Sequence, residues 1–562
     1  MIARSPLVRD NAGVSVETTL LFIFAGVAVV VAVRWFADRT GLPAAALLTL
    51  IGILYAVLPG PNIELDPHLV LTLILPPLLY NAALDSSLLD IRRNLRTVIS
   101  LSVVLVIVTA LVVGVGFHFF VAGATMAAGV ALGAAVAPPD PVAALAVGKR
   151  VGLPRKIVTL VQGEGLLNDA TALTLLSVAV AAAVGGEFSF PHAVGDFFMS
   201  AAGGVVAGIV VAYAVRATRR IQHDPIIANA ISLVTPFVAY VLAEEVHVSG
   251  VLAVVVAGLI VGHDTPRLAT GASRLQVSAV WRLVDFLLEG LVFLLIGQQL
   301  PWVIEGLSDY ETSTIIIAVA ISVGAVLILR PLFLMLTQLL PPAMHARLGG
   351  DPDVGDTAKR ERALNGKEIT ALSWAGTRGV ITLAAVFTIP RTTDSGAPFP
   401  DRDLLLFCAF VVVLVTLVLQ GVTFAPLVRR LGLRANENDE ARERNEARVA
   451  AAQAAMDRLD EIKHEQHTDV EDHAIDSVQK QLTVRLDRYR RRLDLLDAAD
   501  SDEMPVSAQY EAALRVRRSV LDAQREELLR WRDAGQLSDE SLRVLERELD
   551  LEERLLPDRP RA

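Results

Sequence analysis

The chain has 562 residues, of which 53% are hydrophobic, and a mean hydropathy of +0.50. Its apolar residues form long runs separated by short polar loops, which is typical of a polytopic membrane protein and excludes a soluble globular one. The formal net charge is −10, but residues 434–562 hold 32 of the 61 acidic and 23 of the 51 basic residues, so the apolar part is nearly neutral. A single cysteine, Cys408, excludes an internal disulfide framework and a multi-cysteine metal site. We expect no cofactor and no nucleic-acid partner.

At about 20 apolar residues per span, the sequence predicts an all-α membrane domain of thirteen transmembrane helices over residues 16–432. Residues 1–15 are polar and are predicted to form a short extracytoplasmic N-terminus. The first apolar run is long enough to span the membrane, so we interpret it as a helix and not as a cleavable signal. The predicted spans are residues 17–36, 42–58, 67–86, 97–118, 122–147, 155–183, 193–215, 226–243, 249–262, 281–300, 312–340, 368–389 and 403–426.

The loops between these spans alternate in charge. Lys and Arg collect in every second loop, at residues 34–39, 92–96, 149–156, 216–220, 267–274 and 359–367, and the loops between those contain almost none. Because basic loops stay in the cytoplasm, this pattern predicts an N-terminus outside and a C-terminus inside the cytoplasmic membrane.

Residues 433–562 change abruptly to Ala, Glu, Arg, Asp and Leu with helical spacing of the apolar positions. This composition predicts a soluble cytoplasmic domain of about four helices. Two interpretations stay open for it: a regulatory or oligomerisation module that binds a ligand or partner, and a tail that packs only on itself.

The fifth span contains an acid among three prolines, in the run Pro138-Pro139-Asp140-Pro141. Each proline removes a backbone donor and clashes with the preceding turn, so the helix must break here. Broken helices at membrane depth are tolerated where they line a cavity, and their free carbonyls bind ions. We therefore favour a binding site over a merely structural kink, with Pro139 and Asp140 as candidate ion ligands.

The sixth span carries Glu164, Asn168 and Asp169. An ionisable residue inside a membrane helix is by default a functional-site hypothesis. Glu164 and Asn168 share one helix face, whereas Asp169 is rotated by about 100° from Asn168. One acid can therefore face a permanent partner and the other a cavity, although a buried acid can also be half of a structural ion pair.

Two arginines lie in apolar helices, Arg378 between two glycines of the twelfth span and Arg330 before Pro331 of the eleventh. Arginine stays charged, so each is expected to need a carboxylate. We predict that Glu164 or Asp140 pairs with Arg378 and leaves Asp169 without a fixed cation. Glu289 in the tenth span is a candidate second titrating group, with a helix-packing hydrogen bond as the alternative.

Several blocks together resemble the sodium/proton exchangers of the monovalent cation:proton antiporter group, over about residues 15–432. These blocks are Leu75-Pro76-Pro77-Leu78-Leu79-Tyr80, Pro139-Asp140-Pro141-Val142-Ala143, Gly163-Glu164 with Asn168-Asp169, Ala243-Glu244 with Ser249-Gly250-Val251-Leu252-Ala253, Trp374-Ala375-Gly376 with Arg378-Gly379, and Gln420-Gly421.

The resemblance implies two inverted six-helix repeats, a homodimer, and a mobile core in which the broken fifth and twelfth helices cross beside the sixth. It further implies that Asp169 carries the cation and the proton, that Asn168 positions it, that Asp140 lies at the crossing and that Glu164 pairs with Arg378. Asn168, where charge-moving relatives tend to have a second Asp, implies electroneutral exchange of one cation for one proton.

The chain departs from the family pattern at three positions. Asn81 stands where relatives often have an acid, Gly165 where they often have Ser or Thr, and Glu289 where an amide is expected. The first two changes remove possible cation oxygens, so the preference among Na⁺, K⁺ and Li⁺ is left open, and Glu289 is a candidate replacement acid.

The sequence therefore predicts a secondary antiporter, not an enzyme, that exchanges a monovalent cation for protons and serves pH homeostasis. Two alternatives share the buried acids. One is a passive cation channel, and the other is an intramembrane aspartyl protease with Asp140 and Asp169 as its dyad.

Overall fold

The computed structural model describes residues 16–58, 69–185, 190–222, 224–339, 364–434, 437–464, 469–497 and 508–553. The predicted N-terminal segment 1–15 lies outside these residues. By internal contacts the chain divides into two units, Met1–Ala435 and Asn436–Ala562.

The described part of the first unit is helical apart from its connections. Its helices are α1 (Val16–Thr40), α2 (Ala44–Val57), α3 (Val70–Leu84), α4 (Leu88–Arg93), α5 (Leu95–Phe120), α6 (Met126–Val136), α7 (Pro141–Val151), α8 (Arg155–Val184), α9 (Phe190–Ile221), α10 (Pro225–Glu245), α11 (Gly250–Leu268), α12 (Gly271–Gln298), α13 (Leu300–Glu305), α14 (Thr312–Leu339), α15 (Gly366–Trp374), α16 (Val380–Phe387) and α17 (Arg402–Leu431).

Eight of these helices are long and apolar enough to cross a membrane, namely α1, α5, α8, α9, α10, α11, α14 and α17. The helices α2, α3 and α6 are apolar but shorter. Each of the thirteen predicted spans falls on one described helix or on a pair of half-helices. The multi-pass character is therefore shown, while the count of thirteen stays a prediction.

Two of the predicted spans are interrupted. In the fifth, α6 ends at Val136 and α7 begins at Pro141, as the prolines require. In the twelfth, α15 ends at Trp374 and α16 begins at Val380. Four half-helix ends therefore lie inside the apolar part of the protein.

The helices of the first unit pack as two bundles. One bundle contains α1, α2, α3, α9, α10, α11 and α12, and the other contains α5, α6, α7, α8, α14, α15, α16 and α17. One buried hydrophobic cluster joins α1, α2 and α12 of the first bundle to the second. Helix α8 also contacts α3, α9 and α11 of the first bundle. The helix that carries Glu164 and Asp169 therefore lies where the two bundles meet.

The described part of the second unit consists of four helices, α18 (Glu437–Lys463), α19 (Asp469–Asp497), α20 (Ala508–Asp533) and α21 (Asp539–Glu553). The helices α18 and α19 pack together through buried Ala452, Leu459, Ile475 and Leu486. The turn before α21 contains Gly535 at φ 71°, a left-handed conformation that favours glycine. The unit is thus a set of amphipathic helices, and its role stays a prediction.

Candidate ion-binding site

The two interrupted helices cross at their unwound segments. The backbone N–H of Asp140 donates to the carbonyl of Thr377 at 2.6 Å, and the Thr377 hydroxyl donates to the carbonyl of Asp140 at 2.9 Å. These bonds satisfy backbone groups that the breaks leave without helical partners. Thr377 was not singled out by the sequence, whose only hint was its place beside Arg378.

Asp140 lies at the positive ends of two half-helices. It is the N-cap of α7, where one carboxylate oxygen accepts from the backbone N–H of Val142 at 2.9 Å. Its other oxygen lies so close to Gly379, the N-cap residue of α16, that a Cβ there would overlap it. A carboxylate stabilises helix N-termini, so Asp140 compensates the partial positive charges of both.

Arg378 lies at the negative end of a third half-helix. Its guanidinium donates to the carbonyls of Val136 and Ala137, both at 3.0 Å, and also to that of Gly376. The prediction that Arg378 pairs with Glu164 or Asp140 is wrong. The physical reason is that three carbonyls, two of them at the C-terminal end of α6, satisfy a buried guanidinium without a carboxylate.

Glu164 pairs instead with Arg330 of α14. The guanidinium contacts both carboxylate oxygens, with Nη2 to Oε2 at 2.8 Å, and the two side chains are 3% and 1% exposed. The Nε of Arg330 donates to the carbonyl of Leu372 at 3.0 Å, in the last turn of α15. From the sequence, both arginines were expected to need a carboxylate partner. Only the three-dimensional arrangement shows that Glu164 pairs with Arg330.

Asn168 joins α8 to the unwound segment of the fifth span. It is fully buried and donates its amide to the carbonyl of Pro139 at 2.9 Å. Its Oδ1 is buried without a hydrogen-bond partner. A buried acceptor left open is unusual in a protein and indicates a place for a donor or a cation.

Asp169 is the next residue and is 4% exposed. Within the described part of the chain, no hydrogen bond or ion pair engages its carboxylate, and the charge that acts on it is that of Asp140. Its neighbours Asn168 and Asp140 both belong to or contact the crossing segments. The residues predicted as ion ligands, Asp169, Asn168, Asp140 and Pro139, are therefore brought together.

Gly165 has a packing reason that the sequence did not show. A Cβ at this position would lie 2.7 Å from Cδ of Pro141, the first residue of α7. The absence of a side chain lets α8 approach the broken helix closely. The hydroxyl oxygen that relatives often have at this position is thus replaced by a closer contact between the two helices.

Two residues predicted to be accessory to the site, Asn81 and Glu289, lie on helices of the first bundle. Asn81 of α3 is 8% exposed and donates its amide to the carboxylate of Asp285 in α12. Glu289, one turn further along α12, is half-buried and within electrostatic range of Asp140, Asp285 and Arg34. Glu289 was predicted to be either a second titrating group or a donor or acceptor in a helix-packing hydrogen bond. No such hydrogen bond of Glu289 is found among the described residues.

No group of three or more His, Cys, Asp or Glu side chains that could hold a metal ion occurs in the described ranges. The oxygens at the crossing are of a different kind: the carboxylates of Asp140 and Asp169, neither of which has a cation partner among the described residues, one open amide oxygen and backbone carbonyls. Unwound carbonyls and half-helix ends are ligands that monovalent cations use in membrane transporters.

Comparison with known proteins identifies the family of this chain. The family model of the sodium/hydrogen exchanger transmembrane domain matches residues 25–430. A protein of Mycobacterium tuberculosis strain H37Rv, described as an uncharacterized Na⁺/H⁺ exchanger, is 35% identical over 547 residues, covering 96% of each chain. A sodium, potassium, lithium and rubidium/H⁺ antiporter of Bacillus subtilis is 33% identical over 394 residues, covering 68% of this chain and 57% of that one.

The fold is similar to that of the sodium proton antiporter MjNhaP1 from Methanocaldococcus jannaschii, solved at pH 8. The TM-score is 0.57 at 19% identity, covering 74% of this chain and 99% of that one. Relatives of this kind are transporters and not enzymes. The chain belongs to the sodium/hydrogen exchanger family of membrane antiporters.

Proposed function

We propose that this protein exchanges Na⁺ for H⁺ across the cytoplasmic membrane, one for one, by alternating access of a single site at Asp169. K⁺ and Li⁺ are the other candidate cations. The N-terminus lies outside and the C-terminus in the cytoplasm, in agreement with the distribution of Lys and Arg in the loops. Each chain consists of two inverted six-helix repeats and the protein acts as a homodimer, as the family resemblance implies.

The observation that carries this proposal is the unequal treatment of the buried acids. Glu164 is neutralised by Arg330, and Asp140 lies at two helix N-termini, where one of its oxygens accepts a backbone hydrogen bond. Asp169 has no such compensation within the described residues. A carboxylate that the protein does not neutralise must take its counter-charge from outside, as a proton or a cation.

The ligands of the cation are the Asp169 carboxylate and the open Oδ1 of Asn168, with Asp140 and the Pro139 carbonyl completing the set. The Pro139 carbonyl already accepts from Asn168 and has a second lone pair. The bond between Asn168 and Pro139 holds the amide oxygen and the unwound carbonyl in a fixed relation.

Competition between the proton and the cation enforces exchange. Either one neutralises Asp169 and makes the movement of the site through the barrier inexpensive, whereas the empty, charged site is costly to move. Asn168 adds an oxygen without adding charge, so one cation replaces one proton and no net charge is carried.

The uncompensated carboxylate of Asp169 does not favour the two alternatives, an intramembrane aspartyl protease and a passive cation channel. A protease dyad needs two carboxylates that share a proton, whereas no hydrogen bond joins Asp140 to Asp169 among the described residues, and one oxygen of Asp140 accepts from the backbone N–H of Val142 instead. A passive channel needs no site that is neutralised in turn by two ions.

The test is a proteoliposome assay in which an internal pH dye reports proton movement on addition of each cation, with and without an imposed voltage. We expect Na⁺-driven proton movement that is independent of voltage, and none in Asp169→Asn. Exchange that persists in Asp169→Asn refutes the site, voltage dependence refutes electroneutrality, and conductance without proton movement indicates the channel.

The C-terminal unit is proposed to be cytoplasmic and to regulate exchange through a ligand or partner. Removing residues 436–562 should then leave exchange by the membrane domain but change its dependence on cytoplasmic pH. Unchanged dependence would favour a tail that packs only on itself.

A further inference from the structure

A cavity of about 480 Å³ lies beside the C-terminal end of α8, beyond Asp169 along that helix. Its lining includes Leu176, Ser177, Val180 and Val184 of α8, together with Thr388 at the end of α16 and Asp394. The helices α8 and α16 both take part in the candidate ion-binding site. The cavity therefore lies between the C-terminal ends of two helices that both take part in that site.

The cavity shares a helix face with Asp169. At 3.6 residues per turn, Leu176 and Val180 lie within about 20° of Asp169 around α8, and Val184 within about 60°. Leu176 follows Asp169 by seven residues, which is about 10 Å along the helix axis. Leu173 and Leu176 lie on this face between the carboxylate and the cavity, and Leu176 is 3% exposed.

An acid is held at the mouth of the cavity by a small hairpin. Thr392 and Pro398 form an antiparallel bridge, and Gly396 at φ 79° permits the tight turn between them. The backbone N–H of Asp394 donates to the carbonyl of Val184 at 3.2 Å, which fastens the hairpin to the end of α8. The Asp394 side chain is exposed.

We propose that this cavity is the extracytoplasmic vestibule for the transported cation, that Asp394 attracts the cation into it, and that Leu173 and Leu176 form the barrier between it and Asp169. This inference rests on the proposed exchange function and on the proposed orientation. The vestibule is suited to a hydrated monovalent cation because an exposed carboxylate raises the local cation concentration without binding it tightly.

Thiol labelling tests the vestibule without depending on transport. Ser177→Cys and Val180→Cys face the cavity, whereas Ala179→Cys, 4% exposed on another face of α8, is the matched control. The parent chain gives the background, since Cys408 is its single cysteine and is fully buried. The probes are membrane-impermeant methanethiosulfonates, one with a trimethylammonium group and one with a sulfonate.

We expect labelling of Ser177→Cys and Val180→Cys from the outside, faster with the cationic probe, and none of Ala179→Cys. Adding Asp394→Asn should reduce the preference for the cationic probe by about twofold to fivefold, the size expected of one exposed charge. Labelling from the cytoplasmic side only, equal labelling of Ala179→Cys, or an unchanged preference overturns the vestibule.

Transport supplies a second readout. Asp394→Asn should raise the KM for external Na⁺ by about twofold to fivefold with kcat unchanged, and the effect should shrink when choline chloride raises the ionic strength. The matched control is Asp309→Asn, an exposed acid on another loop. An unchanged KM contradicts the role of Asp394, while absence of Na⁺-driven proton movement in the parent chain contradicts the proposed function itself.

Discussion

Two acids on one helix, five residues apart, have opposite surroundings. Glu164 is held by both arms of the Arg330 guanidinium, whereas Asp169 has no cation partner within the described residues. Both are buried, so burial alone does not separate a structural acid from a transporting one. The difference is whether the protein itself supplies the counter-charge. A compensated acid stabilises the fold, and an uncompensated one is available to a proton or a cation.

The largest effect is expected from breaking the compensated pair. Glu164→Gln or Arg330→Gln should lower the free energy of unfolding by about 3–5 kcal/mol, because each leaves a buried charge unpaired. Chemical unfolding in detergent measures this free energy. Asp169→Asn on the same helix should cost little or nothing.

The double variant sharpens this test. Glu164→Gln with Arg330→Gln should be less destabilised than the sum of the two single variants, because neither charge is then left alone. Additive losses, or a loss in Asp169→Asn as large as in Glu164→Gln, would contradict the contrast between the two acids.

The next largest effect concerns the carboxylate at the crossing. Gly379→Ala places a methyl group on Asp140 and should cost about 1–3 kcal/mol through overpacking, with reduced exchange. The matched control is Gly324→Ala in α14, where a Cβ meets no atom within 4 Å. A wild-type melting temperature for Gly379→Ala would show that the two half-helix ends are not held this closely.

A loss of similar size is expected at the buried arginine whose partners are carbonyls and not a carboxylate. Arg378→Lys keeps the charge but cannot reach the carbonyls of Val136, Ala137 and Gly376 together, and should cost about 1.5–3 kcal/mol. Arg282→Lys, on an exposed arginine, is the control and should be near neutral. Full stability of Arg378→Lys would mean that charge alone, and not the shape of the guanidinium, satisfies the end of α6.

The smallest stability effect should accompany a large transport effect. Asn168→Ala removes the bond to the Pro139 carbonyl and should cost about 1 kcal/mol, while raising the KM for Na⁺ because an oxygen ligand is lost. Asn229→Ala, which removes an exposed bond of 3.4 Å to Gln276, should change neither quantity. An unchanged KM for Asn168→Ala would restrict Asn168 to a structural role.

Much of the membrane domain followed from local sequence patterns. Runs of apolar residues predicted helices where they are found, and the prolines around Asp140 predicted the break between α6 and α7. Both are properties of short segments, since a helix needs only its own backbone bonds and a proline disrupts only its own turn. The acids that meet at the crossing could be named for the same reason, as charges are costly in any apolar helix.

The choice of partners was decided by the tertiary structure alone. Two arginines and four acids in apolar helices were candidates, namely Arg330 and Arg378 with Asp140, Glu164, Asp169 and Glu289, and local sequence patterns could not tell which of them meet. Arg330 lies 166 positions from Glu164, and the partners of Arg378 are backbone carbonyls, which no side-chain pattern reveals. Sequence thus determined which charges are buried, because burial depends on neighbours along the helix. The packing of the helices decided which buried charge has no partner in the protein, because a partner side chain or helix end must come close to it in space.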